Sequence, residues 1–400
     1  MFLTLRLYRK MGIEPPYKDI VNKNYHFTYI DIKYDNDIIS PNIELYRWRQ
    51  LKLLKNHIKN IFIKFNIVPY KNNLDANVEN LMARLLFENF SSGKIISLKD
   101  GLFNISYDSK SLYNDLKTTF TINKQPIADN ICQKIISEID INNKIDAILS
   151  NIKALKKAPT TDIKIVKNKT FTIEFNDTNS KPVNITIPEV VYTKLKKRYN
   201  KKSSKKLGIT CDELITCLLL RYNSLGSDGN QMGIPIQVKD KFKKCGIEFE
   251  GFASALNHHY KYFCSMFYDI EQYFGSLGPF QNIEYIRGIY LLNPPYEKNL
   301  LDTMVNVIIN SLKKSNEKLC FIFGTPTWSN YKEITFHDKA LNSEFYKKHY
   351  TFGDYEVPWY NFFNDTYTKI PSSTRYILAN YYINIKCMQE TVSYWRALKP

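Results

Sequence analysis

The sequence lacks any long apolar run, and this absence excludes a chain that crosses a membrane as a helix. Among its 400 residues no stretch of about eighteen consecutive apolar residues occurs, which is the length that a spanning helix requires. The apolar start, MFLTLRLY, is interrupted by Arg6 and is too short for a signal peptide. We therefore expect an intracellular protein with no membrane partner.

Closely spaced cysteines are also missing, which argues against a structural zinc site. No two of the seven cysteines form a Cys-x-x-Cys pair, although such pairs are typical of zinc modules. The seven are Cys132, Cys211, Cys217, Cys245, Cys264, Cys320 and Cys387. Because cysteines of intracellular proteins are typically reduced, we predict free, mostly buried thiols and no bound metal.

Acidic residues are too few to balance the basic ones. The chain has 56 Lys and Arg against 39 Asp and Glu, a formal net charge of +17. This surplus favours polyanionic partners such as nucleic acids, but solubility or a lysine-rich genome would explain it equally well. Charge alone therefore leaves the partner open.

The basic surplus is concentrated in YTKLKKRYNKKSSKK, at residues 192–206. Its basic side chains can neutralise phosphates, and its interleaved tyrosines can stack on bases. We take Lys197 and Arg198 as candidate RNA contacts. A solvated helix end with a flexible linker, or a nuclear import signal, would show the same composition.

Apolar residues make up 44% of the chain, which excludes a predominantly disordered protein. In the first half they recur at helical spacing, most clearly over residues 42–66 and 127–157. Alternation then predicts a strand pair around Lys167–Lys169 and a third strand in KPVNITIP, with Pro188 opening the next helix. We expect residues 1–205 to form a mostly helical domain with a small β element.

The second half alternates strands with helices. CDELITCLLLRYNSLG predicts a helix capped by Thr210 or Asp212, while GIYLLNPPY, EKNLLDTMVNVIINSLKKS and KLCFIFGTP indicate a strand, a helix and a strand. We also expect a helix in ALNHHYKYFCSMF, and an antiparallel pair between DYEVPWY and STRYILANYYINI at a sheet edge. Alternating strands and helices predict a parallel sheet, so residues 206–400 are predicted to be an α/β domain.

Pro-Pro-Tyr occurs twice, and the flanking residues separate the two copies. EPPY at residues 14–17 follows no apolar strand, so we interpret it as a structural turn or polyproline segment. NPPY at residues 293–296 follows the apolar run Ile289–Leu292 and precedes a long amphipathic helix. Asn293 is thus predicted to lie at the carboxyl end of a parallel strand, where open α/β sheets bind ligands. A turn with a purely structural role is the alternative.

The second copy suits the exocyclic amine of adenine. That amine is a poor nucleophile because its lone pair is delocalised into the ring. Two acceptors that take both amine hydrogens favour a pyramidal nitrogen with its lone pair aimed at an electrophile. An amide oxygen and a backbone carbonyl are such acceptors, and the tyrosine ring can stack on the base. We predict that the catalytic motif consists of Asn293, Pro294, Pro295 and Tyr296.

The signature Asn/Asp-Pro-Pro-aromatic marks amino-group methyltransferases that use S-adenosylmethionine, and further segments resemble one of their families. LLLRYNSLG, GIEFEGFASALN, YFCSMFYDIEQYFGSLGPF, YLLNPPYEKNLLDTMV and LCFIFGTPTW match, in order, the eukaryotic cap-specific adenosine N6-methyltransferases. These proteins are also described as phosphorylated CTD-interacting factors with a WW domain. The resemblance spans about Leu218 to Asn380 and is not traceable before about residue 160.

The resemblance implies a Rossmann-like domain that binds S-adenosyl-L-methionine and methylates the amine of the adenosine next to a 7-methylguanosine cap on mRNA. Small residues after the first strand of the sheet, at Gly251, Ala253 and Ser254, would let the backbone approach a ligand such as the cofactor. Asp269 would offer a carboxylate to a ribose hydroxyl, with an ordinary surface acid as the alternative. The implied cofactor-binding residues are Phe252, Ala253, Ser254, Asn257, Asp269, Phe274 and Gly275.

The implied substrate requires an aromatic site for the cap, because a methylated guanine is a cationic ring that stacks between aromatic faces. Trp328 ranks first, since it follows a strand end and matches the family; Trp359 and Trp48 are further candidates. Core packing is the alternative for each tryptophan. Arg221, in the matching RYNSL, is expected to face either the triphosphate or a carboxylate in the core.

The chain departs from the family at several positions. Tyr296 stands where the animal enzymes have Phe, Ala255 where they have Pro, and Thr327 where they have an acid before Trp328. No WW module precedes the matching part, so we expect capped mRNA as partner without WW-mediated recruitment to RNA polymerase. For the same reason we favour the cytoplasm over the nucleus.

Two rival functions remain open. A DNA adenine methyltransferase would share the four-residue motif, and a non-catalytic cap- or RNA-binding subunit would share the fold. In the main hypothesis, catalysis consists of placing the amine and the sulfonium methyl in line and desolvating them. No general base is required before transfer.

Overall fold

The computed structural model describes residues 17–34, 39–70, 73–88, 95, 97–103, 109–155, 163–167, 170–175, 183–200, 208–225, 231–327, 335–362 and 365–399. The chain divides into two compact units. Unit 1 consists of Met1–Lys33, Ser91–Leu98 and Asn230–Pro400, and unit 2 of Tyr34–Phe90 and Lys99–Gly229. Both units are discontinuous in sequence, and the predicted domains 1–205 and 206–400 stay a prediction. The EPPY residues 14–16 lie outside the described residues.

Helices and strands alternate along much of the described chain. The helices are α1 (Pro41–Lys64), α2 (Leu74–Glu88), α3 (Ser109–Thr119), α4 (Asp129–Ile139), α5 (Ile141–Leu155), α6 (Glu189–Arg198), α7 (Cys211–Ser224), α8 (Ile236–Lys244), α9 (Tyr268–Glu271), α10 (Lys298–Lys314), α11 (Thr335–Leu341) and α12 (Lys386–Ala397). None of them is long and apolar enough to cross a bilayer.

The described residues also form β-strands. They are β1 (Tyr17–Val21), β2 (His26–Ile30), β3 (Lys33–Tyr34), β4 (Ile67–Pro69), β5 (Ser97–Leu98), β6 (Phe120–Ile122), β7 (Gln125–Pro126), β8 (Ile163–Lys167), β9 (Thr170–Phe175), β10 (Val183–Pro188), β11 (Met232–Gly233), β12 (Phe249–Glu250), β13 (Tyr262–Phe263), β14 (Ile283–Leu292), β15 (Leu319–Pro326), β16 (Tyr346–Phe352), β17 (Pro358–Asn361), β18 (Thr366–Lys369) and β19 (Ser373–Ala379).

Unit 1 is built on a mixed sheet, so the chain is a mixed α/β protein. β13, β12, β14 and β15 are neighbours in that order and run parallel. β19 pairs antiparallel with both β15 and β16. The first half of β14 pairs antiparallel with β2, and β2 pairs with β1. The predicted strand–helix–strand unit of β14, α10 and β15 is confirmed.

Strand β14 changes partners halfway along its length. Ile283–Arg287 pair with β2, and Gly288–Leu292 pair with β15. Gly288 has a φ of +134°, and a Cβ atom there would lie 2.5 Å from the Tyr25 ring. Both the backbone conformation and the close approach require glycine where the strand leaves one part of the sheet for the other.

Burial on both faces explains the apolar runs of the central strands. Leu292 and Phe323 pack in one core with Met304 of α10. Leu291 and Ile322 pack in a second core on the opposite face. A strand covered on both faces requires a nearly continuous apolar sequence, and that is the pattern by which β14 and β15 are predicted.

Unit 2 is mostly helical in its described residues. α1 begins behind Ser40, whose hydroxyl accepts the Ile43 N–H, and its bounds are close to the predicted residues 42–66. The predicted helix over residues 127–157 is instead two helices. They are separated at Asp140, which has a left-handed backbone with a φ of +46°.

The later elements of unit 2 follow the sequence closely. β8, β9 and β10 form an antiparallel sheet, which confirms the predicted strands. α6 follows Pro188, as expected. α7 begins after Thr210, whose hydroxyl accepts the Glu213 N–H at 3.2 Å while the Glu213 carboxylate accepts the Thr210 N–H at 2.6 Å. Thr210, one of the two predicted caps, therefore caps this helix.

Two predictions for the second half are wrong. Residues 255–267 form turns and the short strand β13 instead of a helix, because apolar side chains such as Leu256 and Phe267 fill the interior from a buried loop. β17 and β19 do not pair with each other: β19 lies inside the main sheet, and β17 pairs with β11 and β18. Alternation identifies a strand but not its neighbour.

The prediction of free thiols is wrong for one pair of cysteines. Cys245, at the end of α8, and Cys387, in α12, form a disulfide. Their separation of 142 residues hides the pairing from any analysis of cysteine spacing. The free cysteines Cys132, Cys217, Cys264 and Cys320 are buried, as expected, and Cys211 is partly exposed.

Candidate active site

The NPPY segment lies directly after β14. The strand ends at Leu292, and the next residue, Asn293, is half-buried. Because β12, β14 and β15 are parallel, their carboxyl ends lie at the same edge of the sheet. Asn293 therefore lies where open α/β sheets bind ligands.

The start of α10 fixes the turn that follows Asn293. The Glu297 carboxylate accepts the N–H groups of Asn299 at 3.0 Å and Leu300 at 2.7 Å. This caps the positive end of the helix with a negative charge. The Glu297 N–H also donates to the Pro295 carbonyl at 2.9 Å. Since two prolines already restrict the backbone, the turn has little conformational freedom.

The Asn293 amide oxygen has a partner that sequence analysis missed. Nη2 of Arg375, on β19, donates to Oδ1 of Asn293 at 2.9 Å. An amide oxygen carries two lone pairs, so this bond leaves one acceptor position. An amine bound at Asn293 would use that remaining position.

The second predicted acceptor is the Pro294 carbonyl. Pro294 is a buried residue, and none of the donors in the described part of the chain bonds to its carbonyl oxygen. Buried backbone carbonyls are usually paired. This oxygen is therefore available to a donor group of a ligand.

The Tyr296 hydroxyl lies inside unit 1, beside Arg375 and Ser373. Burial raises the pKa of the Tyr296 phenol, while the Arg375 charge and the Ser373 hydroxyl offset part of the shift. Burial lowers the pKa of Arg375, and Tyr296 counteracts this. The phenol is therefore neutral at physiological pH.

The loop after β12 is shaped by two of the predicted cofactor residues. The Ser254 N–H donates to the Asn257 side-chain oxygen at 2.8 Å, and the Ser254 hydroxyl accepts the Asn257 N–H at 3.1 Å. The same hydroxyl donates to Oε1 of Gln231 at 2.9 Å. Ser254 and Asn257 therefore determine the loop conformation through their side chains.

Gly251, at the start of this loop, is needed for a different reason from the predicted one. A Cβ atom there would lie 2.2 Å from Cδ2 of Leu292 and 2.9 Å from the Phe280 ring. Glycine thus allows the end of β12 to approach β14. The space that a side chain of residue 251 would need is occupied by core side chains and not by a ligand. The next residue, Phe252, is half-buried and stacks on Phe280, with ring centroids 4.9 Å apart.

Glu271 links the two predicted cofactor segments. This residue is fully buried, and its carboxylate accepts the N–H groups of Ala255 at 2.6 Å and Phe267 at 3.1 Å. The Ser276 N–H donates to its backbone carbonyl at 3.1 Å. One side chain therefore holds the loop after β12 next to the segment that contains Phe274.

The other predicted cofactor residues lie around this glutamate. Asp269 is on α9 and only 6% exposed, which excludes the surface-acid alternative. Phe274 is fully buried. Gly275 is exposed with a φ of +96°, a left-handed conformation that favours glycine. Ala253 is half-buried, and its N–H donates to the Cys264 carbonyl at 3.0 Å.

The candidate cap-stacking tryptophans have different positions. Trp328 lies outside the described residues. Trp359 is 3% exposed and packs against Trp395 and the Arg375 guanidinium, so the core-packing alternative applies to it. Trp48 is half-buried in α1 of unit 2.

Arg221 lies in the interior of unit 2, facing a core carboxylate. Its Nε and Nη2 donate to the two Glu44 oxygens at 2.8 and 2.6 Å. Glu44 also pairs with Arg47, and Arg47 pairs with Asp100. Burial alone would raise the pKa of Asp100, but the Arg47 charge and hydrogen bonds outweigh it and lower that pKa. The four side chains form a buried network of two cations and two anions.

The basic residues of α6 are partly engaged. Lys196 pairs with Asp212 at 2.5 Å. Lys197 is exposed and Arg198 is half-buried, and both line an open depression with Glu189 and Thr193. The remaining basic residues of the cluster, 201–207, lie outside the described residues. Within the described part, Lys197 is therefore the cation of this pair best placed for a phosphate.

Sequence reasoning missed the charged residues that support the site. Arg375 and Glu250 each lie in a buried strand, and Glu271 is the buried last residue of the short helix α9. Glu250 pairs with the buried Lys239 at 2.5 Å and accepts the His259 N–H at 2.6 Å. A charged residue within an otherwise apolar strand sequence, as in STRYILAN, is the signal that would have identified Arg375.

Comparison with known proteins finds similarity to one family and to several relatives. Residues 191–361 match the family described as "Phosphorylated CTD interacting factor 1 WW domain". Two relatives, from Homo sapiens and Mus musculus, are named "mRNA (2'-O-methyladenosine-N(6)-)-methyltransferase". Each is 36% identical over 121 residues, which cover 28% of this chain and 17% of the relative. The matched segment is thus a small part of those proteins.

The resemblance inferred from the sequence segments is confirmed by these matches. The family match includes α7, β12 and β14, and therefore the NPPY turn and the predicted cofactor segments.

Proposed function

We propose that this chain, whose residues 191–361 match the phosphorylated CTD interacting factor family, is an S-adenosyl-L-methionine-dependent methyltransferase. It methylates N6 of the adenosine next to a 7-methylguanosine cap on mRNA. The turn at residues 293–296 carries the proposal, because it offers two acceptors to one amine at the end of a parallel strand. The name of the human and mouse relatives supports this substrate.

We propose further that unit 1 is a Rossmann-like methyltransferase domain. Four parallel strands, β13, β12, β14 and β15, support this assignment, as does the helix α10 that connects β14 to β15. The antiparallel strand β19, between β15 and β16, is a further supporting feature. In such a sheet the loop after β12 would hold the methyl donor, S-adenosylmethionine, and the turn after β14 would hold the base that receives the methyl group.

The proposed cofactor would supply an electrophilic methyl group on a positively charged sulfur. Two observations fit it: Asp269 keeps a carboxylate at a nearly buried position, and Glu271 holds both cofactor segments together. A carboxylate can accept hydrogen bonds from ribose hydroxyls. The proposed contacts are Phe252, Ala253, Ser254, Asn257, Asp269, Phe274 and Gly275, with Ser254 and Asn257 acting by shaping the loop.

The catalytic residues would act on the amine by orientation. Asn293 accepts one amine hydrogen with its remaining lone pair, and the Pro294 carbonyl accepts the other. The nitrogen then becomes pyramidal, and its lone pair faces away from both acceptors. The ring of Tyr296 stacks on the base and excludes water. No proton has to leave before transfer, because the neutral amine is the nucleophile. As the bond from nitrogen to the methyl carbon forms, the bond from that carbon to sulfur would break, and the methylated nitrogen would then lose one proton to solvent.

The phosphates of the RNA would contact the basic residues of α6, and the resemblance to the family keeps Trp328 as the proposed residue for the cap. Replacing Lys197 and Arg198 together by glutamine is expected to weaken RNA binding. The slope of the logarithm of the association constant against the logarithm of the salt concentration is negative. It should become less steep by about 1.4, since each single-strand phosphate contact contributes about 0.7. Fluorescence anisotropy with a capped oligonucleotide at several salt concentrations measures this.

Lys153→Gln is the matched control for this prediction, because Lys153 is an exposed lysine on α5 of the same unit. It should leave the salt slope within about 0.2 of wild type, because it removes no phosphate contact. An unchanged slope in the Lys197→Gln/Arg198→Gln variant would exclude α6 from the RNA-binding surface.

The proposed function is tested by methyl transfer from radiolabelled S-adenosylmethionine to capped oligonucleotides that differ only in the first transcribed base. We expect label in the RNA that begins with adenosine and none in those that begin with guanosine or cytidine. Uncapped RNA and duplex DNA with the same adenines serve as the comparison substrates.

Other outcomes would replace the proposal with one of its rivals. Label in duplex DNA or in uncapped RNA would show an adenine methyltransferase without cap specificity. Binding of capped RNA without label, and without binding of S-adenosylhomocysteine in calorimetry, would show a non-catalytic subunit.

A further inference from the structure

Arg375 is a buried cation with incomplete hydrogen bonding. It is 1% exposed, and Nη2 bonds to Asn293. Its Nε and Nη1 bond to no acceptor in the described part of the chain, where no carboxylate pairs with it either. A buried charge that lacks a counter-ion lowers stability. Such a residue in contact with the proposed catalytic motif indicates a role in function.

The fold leaves space for this side chain to reach Asn293. Gly324 of β15 lies opposite Arg375 in the strand pairing. A Cβ atom on Gly324 would lie 1.5 Å from Nη1 and 2.3 Å from Cζ of Arg375. The last pair between β14 and β15 is Leu292 with Phe323, so Asn293 comes next to Gly324. Arg375 therefore crosses β15 over a glycine to reach the residue after β14.

Two tryptophans hold the guanidinium in this position. Cζ of Arg375 lies 5.1 Å from the centre of the Trp359 ring and 5.5 Å from that of Trp395. The Trp395 ring is itself fixed, since its Nε1 donates to the Pro358 carbonyl at 2.8 Å. Cation–π contacts of this kind stabilise a cation in the absence of water. The guanidinium therefore has a defined place next to Asn293.

A guanidinium can only donate hydrogen bonds, and this property determines which atom of the Asn293 amide faces it. An amide rotated by 180° would present its NH2 group to Arg375, with two donors facing each other. The charged donor thus selects the orientation with the oxygen at the site. One lone pair of this oxygen points to Arg375, and the other stays free for a ligand.

We propose that Arg375 is a positioning residue, which fixes the Asn293 amide so that its oxygen accepts a hydrogen from the adenine amine. This inference rests on the proposed methyltransferase function. Arg375 does not touch the substrate; it acts through Asn293. Its effect on catalysis therefore depends on the presence of the asparagine side chain.

A double-mutant cycle tests this dependence. Arg375→Met, Asn293→Ala and the double variant are compared with wild type in kcat and KM for capped RNA beginning with adenosine. Arg375→Lys is added as the conservative variant, since lysine retains a charged donor. Thermal unfolding and calorimetry with S-adenosylhomocysteine show that each variant is folded and binds the cofactor product.

We expect Arg375→Met to lower kcat by about 10²-fold with little change in KM, because a misplaced catalytic group costs about that factor. Arg375→Lys should recover part of the loss. In the Asn293→Ala background, Arg375→Met should change kcat by less than about twofold, since the group that it orients is gone.

Equal losses from Arg375→Met in both backgrounds would overturn the inference, since they would show an effect independent of Asn293. If Arg375→Met does not fold, Arg375→Lys takes its place in the cycle, and the same comparison decides. A wild-type protein without methyl transfer would overturn the proposed function instead.

A measurement that does not depend on enzymatic activity distinguishes failure of the positioning role of Arg375 from failure of the proposed function. In protein labelled with 15N-asparagine, Asn293→Ala identifies the side-chain NH2 signals of Asn293. We expect one sharp, dispersed pair in wild type, and a broadened or shifted pair in Arg375→Met because the amide is no longer held. An unchanged pair would overturn the positioning role even if the protein methylates RNA.

Discussion

Replacing Asn293 by alanine is expected to lower kcat for methyl transfer by about 10²–10³-fold, the range seen when one preorganised hydrogen-bonding group is removed from an active site. The variant loses the side-chain acceptor and leaves only the Pro294 carbonyl for the amine. With a single acceptor, the amine stays close to planar and its lone pair stays in the ring. The KM for S-adenosylmethionine should not change, since no predicted cofactor contact involves Asn293.

The structural cost of the same substitution is limited to one lost hydrogen bond. Asn293 is half-buried, and its loss removes one hydrogen bond to Arg375. Leaving a buried donor unpaired costs about 1–3 kcal/mol, and the cost is higher for a charged donor such as Arg375. The variant should therefore remain folded and bind S-adenosylhomocysteine within about threefold of wild type, a 0.7 kcal/mol difference. Catalysis and stability are thus separable at this position.

Asn316→Ala is the matched control, because Asn316 is an exposed asparagine in the same unit, after α10. Its activity should equal that of wild type. If Asn293→Ala methylated capped RNA within about threefold of wild type, the side-chain amide would not be a catalytic acceptor. The assignment of the NPPY turn would then be wrong even if the protein is a methyltransferase.

The sequence predicts the NPPY turn correctly as far as its conformation depends on neighbouring residues in the chain. The apolar run before Asn293 requires a strand buried on both faces, and the prolines and Glu297 then determine a turn and a helix start. All of these residues lie within one short segment. The position of Asn293 at the end of a parallel strand follows from them without knowledge of the rest of the chain.

The positions of Arg375 and Glu271 depend on contacts between distant parts of the chain, so the sequence did not predict them. Arg375 is 82 residues from Asn293, and their contact depends on the order of β14, β15 and β19 in the sheet. In this order β19 lies between β15 and β16, whereas the sequence analysis places this strand at the edge of the sheet. In the sequence Glu271 resembles any acid of a short helix, although its carboxylate accepts two backbone N–H groups of buried residues.

Loop sequences also mimic regular structure. ALNHHYKYFCSMF has helical periodicity, yet its side chains fill the interior from a buried loop whose backbone is held by Glu250 and Glu271. Carboxylates that accept backbone N–H groups replace the hydrogen bonds of a helix. The spacing of apolar residues indicates which side chains are buried. In this segment they are buried although the backbone is not helical.

Replacing Glu44 by glutamine is expected to destabilise unit 2 by about 3–5 kcal/mol, the cost of breaking a buried ion pair by removing one partner. Glu44 accepts hydrogen bonds from both Arg47 and Arg221, and all three side chains are about 1% exposed or less. Glutamine retains the shape but leaves two cations with Asp100 as the remaining anion. Hydrogen exchange of α1 and α7 amides measures the change locally.

A local measurement is needed because a chain with two compact units does not have to unfold in one step. Asp146→Asn is the matched control, since it makes the same carboxylate-to-amide change on an exposed position of α5. The control should stay within about 0.5 kcal/mol of wild type. Amides of β14 and β15 in unit 1 serve as an internal reference.

A double variant distinguishes charge imbalance from loss of packing. Glu44→Gln/Arg221→Met removes one charge of each sign and leaves Arg47 paired with Asp100. If the imbalance dominates, the double variant should be more stable than Glu44→Gln alone, because the uncompensated cation is gone. If the losses of the two single variants simply add, shape and packing determine the stability of this core. Since Arg221 is held there by Glu44, neither result requires it to contact RNA.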